Sequence, residues 1–226
     1  MSRIGISLLT LLLVSTCLAQ PLKEWVLPNP GFEQALQGWS LVKAANASSD
    51  ATVSRTGVAS LKLSAEDQFH PYVAQGVKNL QGGATYALRA WARGTQGTQA
   101  TVALKIEYYN AKGENTKGQY SDSIVLKSDE WQQITLEPVA DPDTVRASLL
   151  LRLMSAGEVW FDDVTFAMTR EPAAVTLNPA RVALAAGKPA TVNAAVRLRE
   201  PWDKQPPQVT VTGESGGTIA GASALV

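Results

Sequence analysis

Glu158–Phe166 reads EVWFDDVTF: two adjacent carboxylates, Asp162 and Asp163, set inside a run of apolar residues. The stretch is rich in β-branched and aromatic residues and contains neither Pro nor Gly, which predicts a buried strand. Burying a carboxylate is costly unless it is paired or bound to a metal. The Asp-Asp pair therefore calls for partners, and the chain around it has to supply them.

Working outward, the pattern is strand and turn with almost no helical period. Thr85–Arg93 (TYALRAWAR) places Tyr86, Leu88, Ala90 and Ala92 on one face and Arg89, Trp91 and Arg93 on the other. Thr101–Tyr109 (TVALKIEYY) separates Val102, Leu104, Ile106 and Tyr108 from Ala103, Lys105, Glu107 and Tyr109 in the same way. Ala59–Leu63, Tyr72–Val77, Ser123–Leu126, Trp131–Leu136, Val145–Leu153 and Val159–Phe166 complete the predicted strands. Turn signals fall between them at 81–83, 110–113, 141–143 and 156–157. Nine or ten strands over Pro21–Met168 with short connections make an all-β chain, a β-sandwich or jelly roll.

The ends carry different signals. Arg3, the apolar run Ile4–Val14 and the small-residue exit ending at Ala19 predict a cleaved signal peptide over residues 1–19. The alternative is a lipoprotein box with Cys17 lipidated. With cleavage after Ala19 the mature chain has no cysteine, so its core, with or without a metal, must hold the fold. The expected location is secreted, periplasmic or at the cell surface. The first domain is expected over 20–168 and a linker over 169–174. Residues 175–226 then predict three or four strands of a partial Ig-like domain, too few for a complete sandwich. That points to a fragment, or to a second domain completed by something else.

Lys and Arg total 20 and Asp and Glu total 20, a balance that offers no field for steering nucleic acid. Catalysis is poorly supported. His70 precedes Pro71 in an apparent loop, no Gly-x-Ser-x-Gly occurs, and no second acid lies evidently beside Glu107. Asn46-Ala47-Ser48 is a sequon to which no function attaches.

Pro28-Asn29-Pro30-Gly31-Phe32-Glu33 is followed by Gly38-Trp39, then by GVASLKL at 57–63, VAQGV at 73–77, GATYALRAW at 83–91 and the opening stretch. Together these resemble the carbohydrate-binding modules of families 4, 9 and 22, within the galactose-binding-like jelly rolls. The resemblance spans Trp25–Phe166. It implies a structural calcium ion held by Glu33 and by Asp162 or Asp163, with backbone carbonyls from neighbouring loops; hard oxygen donors from both ends of the domain suit that ion. If Val164 and Phe166 point inward, Asp162 shares their side and is the favoured ligand.

The resemblance also implies a ligand site on the concave sheet face. Sugars present apolar C–H faces and many hydroxyls, matched by flat aromatics and planar polar groups. Trp91, Tyr109, Arg89, Glu107 and Gln75 fit that chemistry if their strands are adjacent, with Tyr72, His70 and Tyr120 near the rim. Arg89 and Glu107 are equally explained as a cross-strand ion pair, and Trp91 as an edge residue packed under a loop. Trp39, Trp131 and Trp160 read as structural, and Tyr108 as core. The expected function is non-catalytic binding of a polysaccharide or oligosaccharide by an exported module, beside a catalytic domain or a cell-envelope component. The alternatives are an envelope adhesion module without a sugar ligand, and a small glycan-active enzyme.

Overall fold

A computed structural model describes residues 21–42, 46–67 and 70–172, together with two strands beyond them, Ala174–Asn178 and Asn193–Arg197. The expected signal peptide, Cys17 and most of the Ig-like segment lie outside the described residues. Within 21–172 there are twelve strands: β1 (Lys23–Trp25), β2 (Ser40–Val42), β3 (Ala47–Asp50), β4 (Ser60–Ala65), β5 (Tyr72–Lys78), β6 (Thr85–Arg93), β7 (Ala100–Tyr109), β8 (Asn115–Tyr120), β9 (Ile124–Leu126), β10 (Gln132–Leu136), β11 (Arg146–Leu153) and β12 (Gly157–Arg170). β13 (Ala174–Asn178) pairs antiparallel with β14 (Asn193–Arg197). Two expectations shift at the boundary. β12 runs on through Arg170, and Ala174 opens β13, so strand enters the expected linker from both ends while Glu171 and Pro172 lie outside any strand.

The twelve strands form two antiparallel sheets. Sheet A has the order β10-β6-β12-β4-β3, with β1 also on β12; sheet B has the order β2-β5-β11-β7-β8, with β9 also on β7. The all-β sandwich is therefore as read. The stretch at 158–166 lies in the central strand of sheet A, flanked by β6 and β4.

The core is what the alternation demands. Leu88 and Ala90 of β6, Leu104 and Ile106 of β7, Leu149 and Leu151 of β11, and Phe161 and Phe166 of β12 are fully buried between the sheets. Each large side chain removed from water in this way contributes about 1.5–3 kcal/mol. Tyr86 stacks on Phe166 with ring centroids 5.3 Å apart, and its hydroxyl donates to the Gln81 carbonyl at 3.0 Å. Tyr108 is buried as expected, and burial pushes its hydroxyl well above the usual tyrosine range.

The motif at 28–39 builds a loop. The Asn29 amide donates to the carbonyls of Ala35 (2.9 Å) and Gln37 (3.2 Å), and its side-chain oxygen accepts from the Gln34 N–H. Trp39 packs on Phe32 at 5.1 Å and donates to the Asn29 carbonyl at 3.0 Å. Trp39 is thus a core plug, as its sequence setting indicated.

Candidate functional site

The two carboxylates of the central strand have separate partners. Asp162 is fully buried, and its Oδ2 accepts the backbone N–H groups of Arg55 (2.8 Å) and Thr56 (3.3 Å). Asp163 meets the Arg55 guanidinium at 2.6 Å and the Thr56 hydroxyl at 2.6 Å. Glu33 accepts the Val58 N–H at 2.9 and 3.1 Å. Three carboxylates thus tie down one loop, residues 53–58. Gly57 sits in it with φ +62°, and an added Cβ there would lie 1.9 Å from Glu33 Oε1, so only glycine fits. A single point, the position a Cβ would take on Gly31, lies 3.5 Å from Asp162 Oδ1 and 3.7 Å from Glu33 Oε1.

The parity argument for Asp162 fails. A register shift between Asp162 and Thr165 inserts a bulge, with Asp163 at φ +48°, so Asp162 pairs with Trp91 while Phe166 pairs with Leu88. Asp162 therefore lies on the outer side of sheet A, and the 53–58 loop buries it. Burial raises its carboxyl above the ordinary value, against the hydrogen bonds that lower it.

The expected ligand cluster divides between the sheets. β6 pairs with β10 and β12, and β7 pairs with β11, β8 and β9, so Arg89 and Trp91 lie on the outer face of sheet A while Glu107 and Tyr109 lie on the outer face of sheet B. An Arg89–Glu107 ion pair is ruled out by the same topology. Trp91 is covered: the Arg55 guanidinium lies 3.8 Å from its ring centroid. Gln75 also leaves the cluster. It shares the inward parity of Val73 and Val77, is buried, and donates to the carbonyls of Pro28 (2.8 Å) and Gly38 (3.1 Å). Trp160 is packed on sheet A with its N–H on Asp50 at 2.9 Å.

The outer face of sheet B brings other groups together. Cross-strand pairing makes rows of Lys78, Arg146, Tyr109 and Asn115; of Gly76, Ser148, Glu107 and Gly118; of Ala74, Leu150, Lys105 and Tyr120; and of Tyr72, Arg152 and Ala103. Ala74, Gly76 and Ser148 are small neighbours on β5 and β11, and an added Cβ on Gly76 would meet nothing within 4 Å, whereas one on Gly118 would lie 3.4 Å from the Lys105 side chain. Larger groups stand around that low strip. At one end the Arg152 guanidinium lies between Tyr72 and Tyr120, 4.9 and 5.4 Å from their centroids, and donates to the Tyr120 hydroxyl at 3.0 Å. At the other end Arg146 lies 4.2 Å over Tyr109. Along the side, Glu107 accepts from Lys105 at 2.5 Å and from the Tyr109 hydroxyl at 3.0 Å. Burial raises the Glu107 carboxyl, but these two hydrogen bonds outweigh it and hold the group below its ordinary value.

This chemistry, aromatic rings and charged planar groups around a shallow strip of small residues, stands on a fold with relatives. The profile of a family described as "Carbohydrate binding domain" matches residues 26–153, more than half of the chain. The chain belongs to this family.

The match to the carbohydrate-binding-domain profile ends before β12, so Asp162 lies beyond it. No curated protein matches the chain. Among solved structures it is similar to the CBM22-1–GH10 modules of Clostridium thermocellum endo-1,4-β-D-xylanase 10B, complexed with xylohexaose: 17% identity, TM-score 0.54, covering 65% of this chain and 28% of that one. It is also similar to the CBM22-1 xylan-binding domain of Paenibacillus barcinonensis Xyn10C, at 11% identity and TM-score 0.51, covering 62% of this chain and 92% of that one. At these identities the likeness is one of fold. The chain spans little more than a quarter of the two-module xylanase structure.

Of the residues expected at the carbohydrate-binding domain's ligand site, the structure brings Tyr72, Glu107 and Tyr109 onto one face, with Tyr120 from the expected rim. Sequence reasoning set Lys105 on that face beside Glu107 but missed Arg146, Arg152 and Ser148 there. The signal was present in β11, RASLLLRL, where the two arginines share one parity at the ends of an otherwise mostly apolar strand.

Proposed function

We propose that the outer face of sheet B binds polysaccharide, as the working surface of an exported, non-catalytic module. The observation that carries this reading is the setting of Tyr72, Tyr109 and Tyr120, with Arg146, Arg152 and Glu107, around the low strip of Ala74, Gly76 and Ser148. The face between the Arg146 and Arg152 rows is long enough to admit several sugar rings, since those six steps span about 20 Å at the rise of a strand. Tyrosine faces and edges cover the apolar C–H surfaces of the sugars. The guanidinium groups donate to sugar hydroxyls and the carboxylate accepts from them, in fixed planes.

Pre-organisation favours the same face. The Lys105–Glu107–Tyr109 chain and the Tyr72–Arg152–Tyr120 stack hold their side chains before any ligand arrives, which lowers the entropy lost on binding. One structural relative is complexed with xylohexaose, and a xylan-type chain is the first candidate here.

A structural calcium ion beside Gly31 would be held by Glu33 and Asp162, with backbone carbonyls from neighbouring loops completing the shell. Among the described residues no group of three or more acidic, His or Cys side chains gathers to hold a metal. The Asp162 charge is buried, while the Arg55 guanidinium is committed to Asp163. The ion would neutralise Asp162 and brace the 53–58 loop against β12. Asp163, engaged by Arg55 and Thr56, is not needed as a ligand. The signal peptide expected over 1–19 would direct export.

Affinity electrophoresis against xylan, β-glucan and cellulose derivatives tests the function. Retardation by at least one polymer is expected, and unchanged mobility across the panel would contradict it.

A further inference from the structure

We infer that the face of sheet B selects glycans that carry spaced uronic-acid carboxylates over their neutral counterparts. This rests on the binding face proposed above and adds the charge of its ligand. The chain as a whole has a formal charge of zero. The outward positions of β5, β7, β8 and β11 nevertheless hold Lys78, Lys105, Arg146 and Arg152 against Glu107 alone, which leaves that face at +3. Such a field in one patch of a neutral protein selects the sign of its ligand.

The contrast with the opposite face locates the selectivity. Around sheet A, Arg55 pairs with Asp163, Lys62 with Glu158 and Arg93 with Asp129, so that among the described residues Arg89 is the one outward basic residue of β4 and β6 with no ion pair. On sheet B, Lys105 is cancelled by Glu107. Among the described residues Arg146 and Arg152 have no carboxylate within ion-pair distance. Arg146 lies over Tyr109 and donates to the Gly113 carbonyl at 3.4 Å. Arg152 donates one N–H to Tyr120, and its Nε–H is buried without a partner. A buried donor left unmatched is costly, and a guanidinium fork is geometrically matched to a carboxylate.

The arrangement also favours scattered carboxylates over an unbroken polyuronate. The two unpaired arginines stand at the ends of the strip, about 20 Å apart along β11. Between those rows the Lys105–Glu107 pair leaves no net charge to attract a carboxylate. A largely neutral backbone with occasional uronic-acid branches presents charge at the ends and hydroxyls in the middle.

The test uses the full chain and one polymer in two forms: glucuronoxylan as isolated, and the same preparation after reduction of its carboxyl groups to primary alcohols. Titration calorimetry in low salt should give about tenfold or more tighter binding to the native form, a preference that shrinks as salt is raised. Arg152→Gln should lose most of that preference, and Arg152→Lys should restore part of it. Equal affinity for the two forms would overturn the inference and leave carbohydrate binding standing. Tighter binding to the reduced form would overturn it as well. Binding to neither, together with no retardation on the wider panel, would overturn both readings.

Discussion

Trp91 and Tyr109 lie on opposite outer faces of the sandwich, one on β6 of sheet A and the other on β7 of sheet B. Strands adjacent in sequence have been separated into different sheets, so two aromatic residues of like parity look in opposite directions. Arg55 covers the ring of Trp91. Trp91→Ala should therefore act on stability, costing about 1–2 kcal/mol through lost packing and the lost cation–π contact, as thermal melting would record.

Gln75 holds two loop carbonyls from a buried position, and Gln75→Ala leaves both without their donor. A loss of about 1–3 kcal/mol is expected in denaturant titrations. A binding defect without that loss of stability would place Gln75 in the ligand site after all.

Glu33 fills the space that a side chain at position 57 would need. Gly57→Ala must displace that carboxylate and also adopt a left-handed φ, so it should cost about 1–3 kcal/mol. Unchanged thermal stability of Gly57→Ala would mean that the 53–58 loop is not clamped as described.

Asp162 gives the calcium proposal its sharpest check. Burial raises its folded-state pKa above the ordinary 3.8, so without a metal it favours folding below pH 3.8 and that contribution is lost as pH rises through the folded value. At neutral pH the buried charge is a liability that a bound cation offsets. Calcium should raise the melting temperature of the native chain and chelator should lower it, with Asp162→Asn insensitive to both. A native chain indifferent to chelator would sink the proposal.

Glu107 has the opposite sign. Its folded pKa is depressed below the ordinary 4.5, so it stabilises the fold above pH 4.5 and that contribution is lost as pH falls through the folded value. The stability gap between the native chain and Glu107→Gln should narrow over that acidic window. A gap that widens there would show that the Lys105–Glu107–Tyr109 chain is not formed.

The strands were largely legible because their alternation is clean: β6 begins and ends where TYALRAWAR does. β1, β2, β3 and β8 were not, since three or four residues carry no period and NTKGQY contains only one strongly apolar side chain. The site was half legible. Parity separates inward from outward residues on each strand, but it is silent on which sheet a strand joins, and that topology divided Trp91 from Tyr109. It also fails across a bulge, which is why Asp162 faces away from Phe166.

The most direct test of the sheet B face is affinity electrophoresis of three proteins in one gel containing the polymer that retards the native chain. Tyr72→Ala/Tyr109→Ala should run as in a polymer-free gel while remaining folded, and Trp91→Ala should be retarded as strongly as the native protein. Loss of retardation in Trp91→Ala with full retardation of the tyrosine double variant would move the binding surface to sheet A and contradict the account.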